Sequence, residues 1–349
     1  MPPLYERWLG SLLGGLPPRE TRATCSNCAM CVPGASGVVE AVRPFNPAVK
    51  CCTYMPVLPN FLVGAALVDP LIATDGRRSL EDRIQRRSNV SPLGLGRSPL
   101  YDVSYSVASE SSFGVAVGLT CPHYSAADGG SCLIWQHRNA TCSTWFCKHV
   151  RGRIGYAMWR DVEAVLARVE AALAIWTCAE TGLEGNQIRR LLQFGRATPQ
   201  QLLAAELSGE WLESYEELWG QWVDRERDFY VECARLVQPL SWANVVEIAG
   251  PEVRAAAGAA LGSFRELSAE PGKAGRVNSR LTVVPRGDVA LVVGYSMHDP
   301  IPLPWGRLPI LAEQAGTPIN RAESVGDLGP SFEPEAIARM QDFGIFERS

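Results

Sequence analysis

Histidine is scarce in this chain, with four in 349 residues, and long apolar runs are missing altogether. No stretch reaches the roughly eighteen apolar residues that a membrane-spanning helix needs, so none is expected. Neither sign of charge dominates. The 33 Lys and Arg against 37 Asp and Glu leave a net charge of -4, too little to draw nucleic acid or an anionic membrane. Neither is expected as a partner. The phosphate-cradling loops G-x-G-x-x-G and G-x-x-x-x-G-K-[ST] are absent, as is the zinc-protease motif H-E-x-x-H, which removes the common nucleotide and metalloprotease readings. Gly294-Tyr295-Ser296-Met297-His298 has His where a nucleophile elbow has Gly, so a serine hydrolase is not expected. The spacing C-x-x-x-C-x-x-C is missing too, and there is no internal repeat. The opening MPPLYERWLGSLLGGLPPRE carries an early acid and Arg, a broken apolar run and no A-x-A site. It makes a poor signal peptide. The expected address is the cytoplasm, where glutathione keeps thiols reduced.

Cysteine is what the chain has in abundance. Nine of its eleven cysteines lie between Cys25 and Cys147: Cys25, Cys28, Cys31, Cys51, Cys52, Cys121, Cys132, Cys142 and Cys147. With an odd total, a long chain and no export signal, metal or cluster binding is the reading preferred over disulfides. Two-residue gaps let a tight turn aim sulfurs at one point, which zinc and iron–sulfur clusters require. Cys25-x-x-Cys28-x-x-Cys31 opens like a ferredoxin cluster loop, but no C-x-x-x-C-P closes it, so a further ligand is needed from elsewhere. The candidates are Cys51, Cys52 or a distal thiol. Neighbouring side chains tend to diverge, so one of Cys51 and Cys52 is expected to ligate and the other to be spare. His123, His137 and His149 fall inside the same segment, as ligands, proton carriers or surface residues. The remaining thiols, Cys178 and Cys233, sit on helical stripes and are expected in the core.

The expected fold is α+β and predominantly helical, in three regions. Residues 1–150 form an irregular Cys-rich metal-binding half, 151–245 a helical domain, and 246–349 a mixed α/β part with a hairpin near 281–296. Helices are expected near the start (Leu4, Trp8, Leu12), over 152–176, from Thr198-Pro199 (a capping box with Gln201), through the aromatic stripe Trp211 to Leu236, and over Pro251–Leu267. A closing helix is expected near 334–342. The alternating run 101–119 reads as one or two strands. Residues 75–97 hold six arginines around a short helix with a capping box at Ser79 and Asp82. They read as a solvated face balanced by Glu81 and Asp82, with an anionic partner or substrate as the functional reading.

The distal segment carries a resemblance. Cys121-Pro122, then Gly130-x-Cys132-x-Ile134-Trp135-x-x-Arg138-x-x-x-Cys142, an aromatic and Cys147 resemble the second half of the CxxCxxCC cysteine-cluster family. These are YkgJ-type zinc- or iron-chelating proteins, and they include the flagellin lysine N-methylase. Trp135 stands for the family's Tyr, and Asn139 for the Pro after the Arg. Cys25, Cys28, Cys31 and Cys51-Cys52 resemble the first half, with a nineteen-residue insert before the pair. The resemblance covers residues 25–150. It implies an iron–sulfur cluster or iron, with zinc as the alternative, and a protein-modifying enzyme of the lysine N-methylase kind acting on a protein substrate. A zinc-stabilised interaction module and an electron-transfer partner are the other two readings.

Overall fold

The computed structural model describes residues 1–194, 198–208, 215–268, 274–278, 280–305 and 334–348. It is an α+β fold dominated by helices, with small antiparallel sheets. Two compact units divide it, each drawn from three separated stretches. The first comprises 1–17, 51–144 and 162–258; the second comprises 18–50, 145–161 and 259–349.

In the first unit, α1 (Pro3–Leu13) buries Tyr5, Trp8 and Leu9, and the Trp8 indole donates to Leu240 O at 2.9 Å. The apolar run after the paired cysteines becomes α2 (Asn60–Val68), buried over most of its length. Its first residue, Asn60, has no exposure and donates to Pro92 O and Ala174 O at 2.8 and 3.0 Å, while Thr177 donates to it at 3.1 Å. A buried amide so satisfied pins α2 to the long helix without leaving an unpaired polar group. Five of the six arginines fall on or just after α3 (Thr74–Gln85), and Arg97 lies farther on. Ser79 lies inside α3 rather than capping it, and its hydroxyl donates to Gly76 O.

The run 101–119 is not strand. It forms α4 (Pro99–Ser112) and a single 3-10 turn at Val117–Leu119. Pro99 at the first helical position and Ser98 Oγ accepting from Tyr101 N at 3.1 Å start the helix. Tyr101 and Tyr105, one turn apart, stack at 5.7 Å. Local capping and this i,i+4 pair outweigh the apparent alternation. Beyond it lie α5 (Ala140–Thr144) and α6 (Gly152–Glu180), the longest helix. The capping box at Thr198 and Gln201 forms in both directions, at 2.8 and 3.2 Å.

The aromatic stripe is a core, as its spacing predicts, but not one helix. Residues 211–214 lie outside the described set. After them the chain makes a short helix at Tyr215–Trp219 and then α7 (Glu226–Val237). Gly220 (φ 53) and Asp224 (φ 61) take left-handed backbone between the two, which no continuous helix allows. Trp219, Trp222, Phe229 and Tyr230 pack edge to face across the break. Helix α8 (Pro251–Ser268) follows.

In the second unit, β3 (Thr282–Arg286) and β4 (Val289–Val293) make the expected hairpin, and β5 (Ile301–Pro304) adds to the β4 edge. With α9 (Pro334–Asp342) they enclose a core of Val292, Ile301, Met340, Phe343 and Ile345. Among the described residues no helix is long and apolar enough to cross a membrane.

Candidate metal centre

The structure gathers five of the nine clustered cysteines in the first unit: Cys51, Cys52, Cys121, Cys132 and Cys142. Cys25, Cys28, Cys31 and Cys147 belong to the second. No cysteine is in a disulfide.

Three chain segments build the first set. Cys51 and Cys52 sit on a turn that follows Lys50, a residue in left-handed backbone (φ 52). The turn is held by Tyr101 of α4, which donates to Thr53 O and accepts from Met55 N, both at 2.7 Å. Cys121 N donates to Cys52 O at 2.8 Å, joining the proximal and distal segments through the backbone. Cys132 ends a minimal hairpin, β1 (Tyr124–Ser125) and β2 (Ser131–Cys132), closed by Gly129 and Gly130 at φ 81 and 86. A Cβ on Gly130 would stand 2.0 Å from the Tyr124 hydroxyl, so that corner admits only glycine. Cys142 lies on α5. Asn139, where the resembled family has Pro, accepts from Cys142 N at 3.0 Å as a helix cap. Arg138 stacks 3.4 Å over the Trp135 ring and donates to Cys142 O at 2.8 Å.

The thiols affect one another. Burial first, then the neighbouring Cys121 and Cys132 sulfurs, hold the Cys142 thiol well above its ordinary range, with Arg138 opposing. Burial pushes Cys121 up to about 12, aided by Cys132 and Cys51 and opposed by the His123 backbone N–H and by Arg83. Cys51 is raised by a hydrogen bond with the Cys52 thiol and by burial. The two sulfurs of the adjacent pair lie within reach of one another. Soft sulfur donors that stay protonated until a cation arrives form the donor set of zinc or iron, and loading them releases protons. Among the described residues, no three His, Cys, Asp or Glu side chains converge tightly enough to hold a single metal ion.

The α5 anchor is itself titratable. Glu170 of α6 accepts from the Tyr5 hydroxyl and, at 2.6 Å, from Ala140 N at the start of α5. Burial raises its carboxyl to about 7 against these two hydrogen bonds. The folded state thus holds a proton that the unfolded chain releases near the ordinary carboxylate value of about 4.3. That stabilisation is complete below this value and is lost as pH rises through 7. Urea titrations should show stability falling by about 1–3 kcal/mol between pH 4.5 and 7.5. Glu170→Gln keeps the accepting oxygen and should flatten that slope; an unchanged slope would assign the proton elsewhere.

The histidines part company. His123 is buried with Nδ1 2.8 Å from Ser79 Oγ, and burial depresses it to about 3. Since the Ser79 hydroxyl donates to Gly76 O, Nδ1 carries the proton and Nε2 presents a lone pair, which finds no hydrogen-bond partner. His137 pairs with Asp69 at 2.8 Å. Cys178 and Cys233 are fully buried in the helical core.

In the second unit, Cys25-x-x-Cys28-x-x-Cys31 is a run of turns in which Cys31 N donates to Cys28 O at 2.8 Å and Lys50 Nζ to Cys25 O at 2.6 Å. Near Cys147 stands a buried charge network that sequence reading missed. Asp299, with no exposure, takes a two-pronged contact from Arg22 at 2.9 and 3.0 Å, the His149 N–H at 3.0 Å and the Tyr295 hydroxyl. His149 Nδ1 lies 3.2 Å from the same hydroxyl. His298-Asp299 looks like a mere turn in sequence, and only long-range packing reveals Arg22 as its partner. In comparisons with known proteins, no protein family, no curated protein and no solved structure matches this chain.

Proposed function

We propose that this chain is a thiolate-ligated iron–sulfur protein, with Cys51, Cys121, Cys132 and Cys142 holding the cluster. What supports the reading is that thiols from three chain segments lie near enough for the Cys121, Cys132, Cys142 and Cys51 sulfurs to raise one another's pKa. Burying several thiols near one another without a cation gains little beyond small apolar packing; a cation turns their repulsion into binding. Tetrahedral zinc, with bonds of about 2.3 Å, needs its sulfurs about 3.8 Å apart. A cluster whose irons are bridged by sulfide takes thiolates farther apart than a single zinc ion does.

A bound cluster supplies one-electron chemistry, tuned by hydrogen bonds to its sulfurs and by burial. The chain's own residues do the tuning. The His123 backbone N–H hydrogen-bonds the Cys121 sulfur, and Arg138 sets a positive charge beside Cys142 and Cys51. Cys52, hydrogen-bonded to Cys51, is a fifth thiol beyond the four that a cluster takes. The resemblance to the cysteine-cluster family makes modification of a protein side chain the reaction class, with a protein substrate.

Purification without oxygen should yield a brown protein with iron and acid-labile sulfide in equal amounts. Cys52 should be alkylated by iodoacetamide in the loaded protein. A colourless protein with stoichiometric zinc would replace this reading with a zinc-stabilised interaction module.

A further inference from the structure

The six arginines on and after α3 do not share one fate. Arg78 pairs with Asp75 at 3.0 Å, Arg87 with Asp224 at 2.6 Å and Arg97 with Asp102 at 2.7 Å. Arg77 donates to Asp69 O at 2.8 Å. Among the described residues, no carboxylate pairs with Arg83 or Arg86. Both line one open cleft of about 330 Å³, together with Ser79, Asp82 and Ser88. Positions 79, 82, 83 and 86 recur at helical spacing, so one face of α3 forms a wall of the cleft.

Arg83 is the unusual member. It is nine-tenths buried, its Nη2 donates only to Gly96 O, and its Nη1 has no hydrogen-bond partner. A buried guanidinium without an anion is costly, because neither water nor a counter-charge repays its desolvation. Burial accordingly draws its pKa below the usual arginine value. The opposite wall lies close against α3. A Cβ on Gly76 would lie 2.6 Å from Leu133 O, so α3 packs backbone to backbone against the segment after β2. Pro122 and Leu133, which complete the lining, are the residues next to Cys121 and Cys132.

We propose that this cleft is a binding site for a small oxyanion, the phosphate or carboxylate group of a ligand, held by the forks of Arg83 and Arg86. Planar guanidinium forks match such groups, and charge-assisted hydrogen bonds to them are among the stronger ones. Ser88 offers a hydroxyl on the same lining. The acids there are Asp75, already paired with Arg78, and Asp82, whose unpaired charge opposes the anion and limits the affinity. The site would seat a ligand beside the thiol cluster, since Arg83 also feels the Cys121 sulfur.

The test is a calorimetric titration of the full chain, as purified, at constant ionic strength. Inorganic phosphate and acetate are the two probes, and chloride is the control. Saturable binding of phosphate, of acetate or of both is expected, and the stronger probe identifies the source of the oxyanion. Arg86→Gln, at an exposed position, should weaken it about tenfold, the worth of one charged hydrogen bond. Asp82→Asn should tighten it by removing the opposing charge. Arg83→Gln should abolish it, and a circular-dichroism melt of that variant reports whether the fold survives. Absence of saturable binding by either probe would overturn the proposal. So would binding that neither Arg86→Gln nor Asp82→Asn changes.

Discussion

Replacing Gly64 by alanine is expected to lower the melting temperature by about 10 °C, from a loss of about 3 kcal/mol or more. Gly64 lies mid-way along α2 where that helix crosses α7. A Cβ there would stand 1.7 Å from the carbonyl oxygen of Tyr230 and 2.9 Å from Val231 N. The obstacle is backbone, which has no rotamer to swing aside. Relief requires α2 and α7 to separate, and the two helices share the packing of Phe61, Tyr230 and their neighbours. Separation would also strain the Tyr230 hydroxyl, which donates to Ser91 O at 2.8 Å. Gly258, inside α8, supplies the contrast, since nothing lies within 4 Å of a Cβ there. Gly258→Ala should therefore raise stability by about 0.5–1 kcal/mol through helix propensity alone. Thermal melts of the two variants, followed at 222 nm, test the helix crossing. Equal melting temperatures for Gly64→Ala and the parent would mean that α2 and α7 do not meet at this glycine.

That crossing also shows what sequence can and cannot carry. The apolar run from Phe61 to Val68 forms a buried helix, but nothing local says that Gly64 is where another backbone arrives. Where caps and period agree, as at Thr198 with Gln201 or along α6, the expected helices form. Where they conflict, the cap wins: Ser98 and Pro99 start α4 through a stretch whose alternation suggests strand. Asp224 carries no turn signature strong enough to announce the break before α7, because its left-handed backbone depends on Glu226 accepting from its N–H at 3.1 Å. The thiol set is legible as composition, since dense cysteine spacing is local. Its division into five and four is not, because Cys121 meets Cys52 through a backbone hydrogen bond across nearly seventy residues. The Arg22–Asp299 pair, separated by 277 positions, lies further still beyond any local pattern. Charge counting likewise treats the six arginines alike, while burial separates Arg83 from the rest.

Cys142→Ser is expected to weaken metal binding more than about a hundredfold, beyond the loss usual for groups that merely orient a ligand. Cys142 is the proposed ligand whose thiol is raised by all three of the others, Cys121, Cys132 and Cys51. A serine hydroxyl there fills almost the same space, keeps the Asn139 cap and the Glu170 anchor of α5, and offers a far harder, less acidic donor. The fold of the helical core should survive. The stretch from Gly114 to Asn139 should not stay closed, because it holds only 3-10 turns and the two-residue strands β1 and β2. Without a metal to tie Cys121 and Cys132 to Cys142, limited proteolysis should cut there first. Cys233→Ser is the matched control. That thiol is fully buried on α7 and hydrogen-bonded to Thr177 in the core, so the variant should keep its full metal content while losing some stability. Iron or zinc per folded chain, measured after gel filtration, separates the two outcomes. Equal metal loss in both variants would mean that unfolding drives the loss, and equal retention would remove Cys142 from the ligand set.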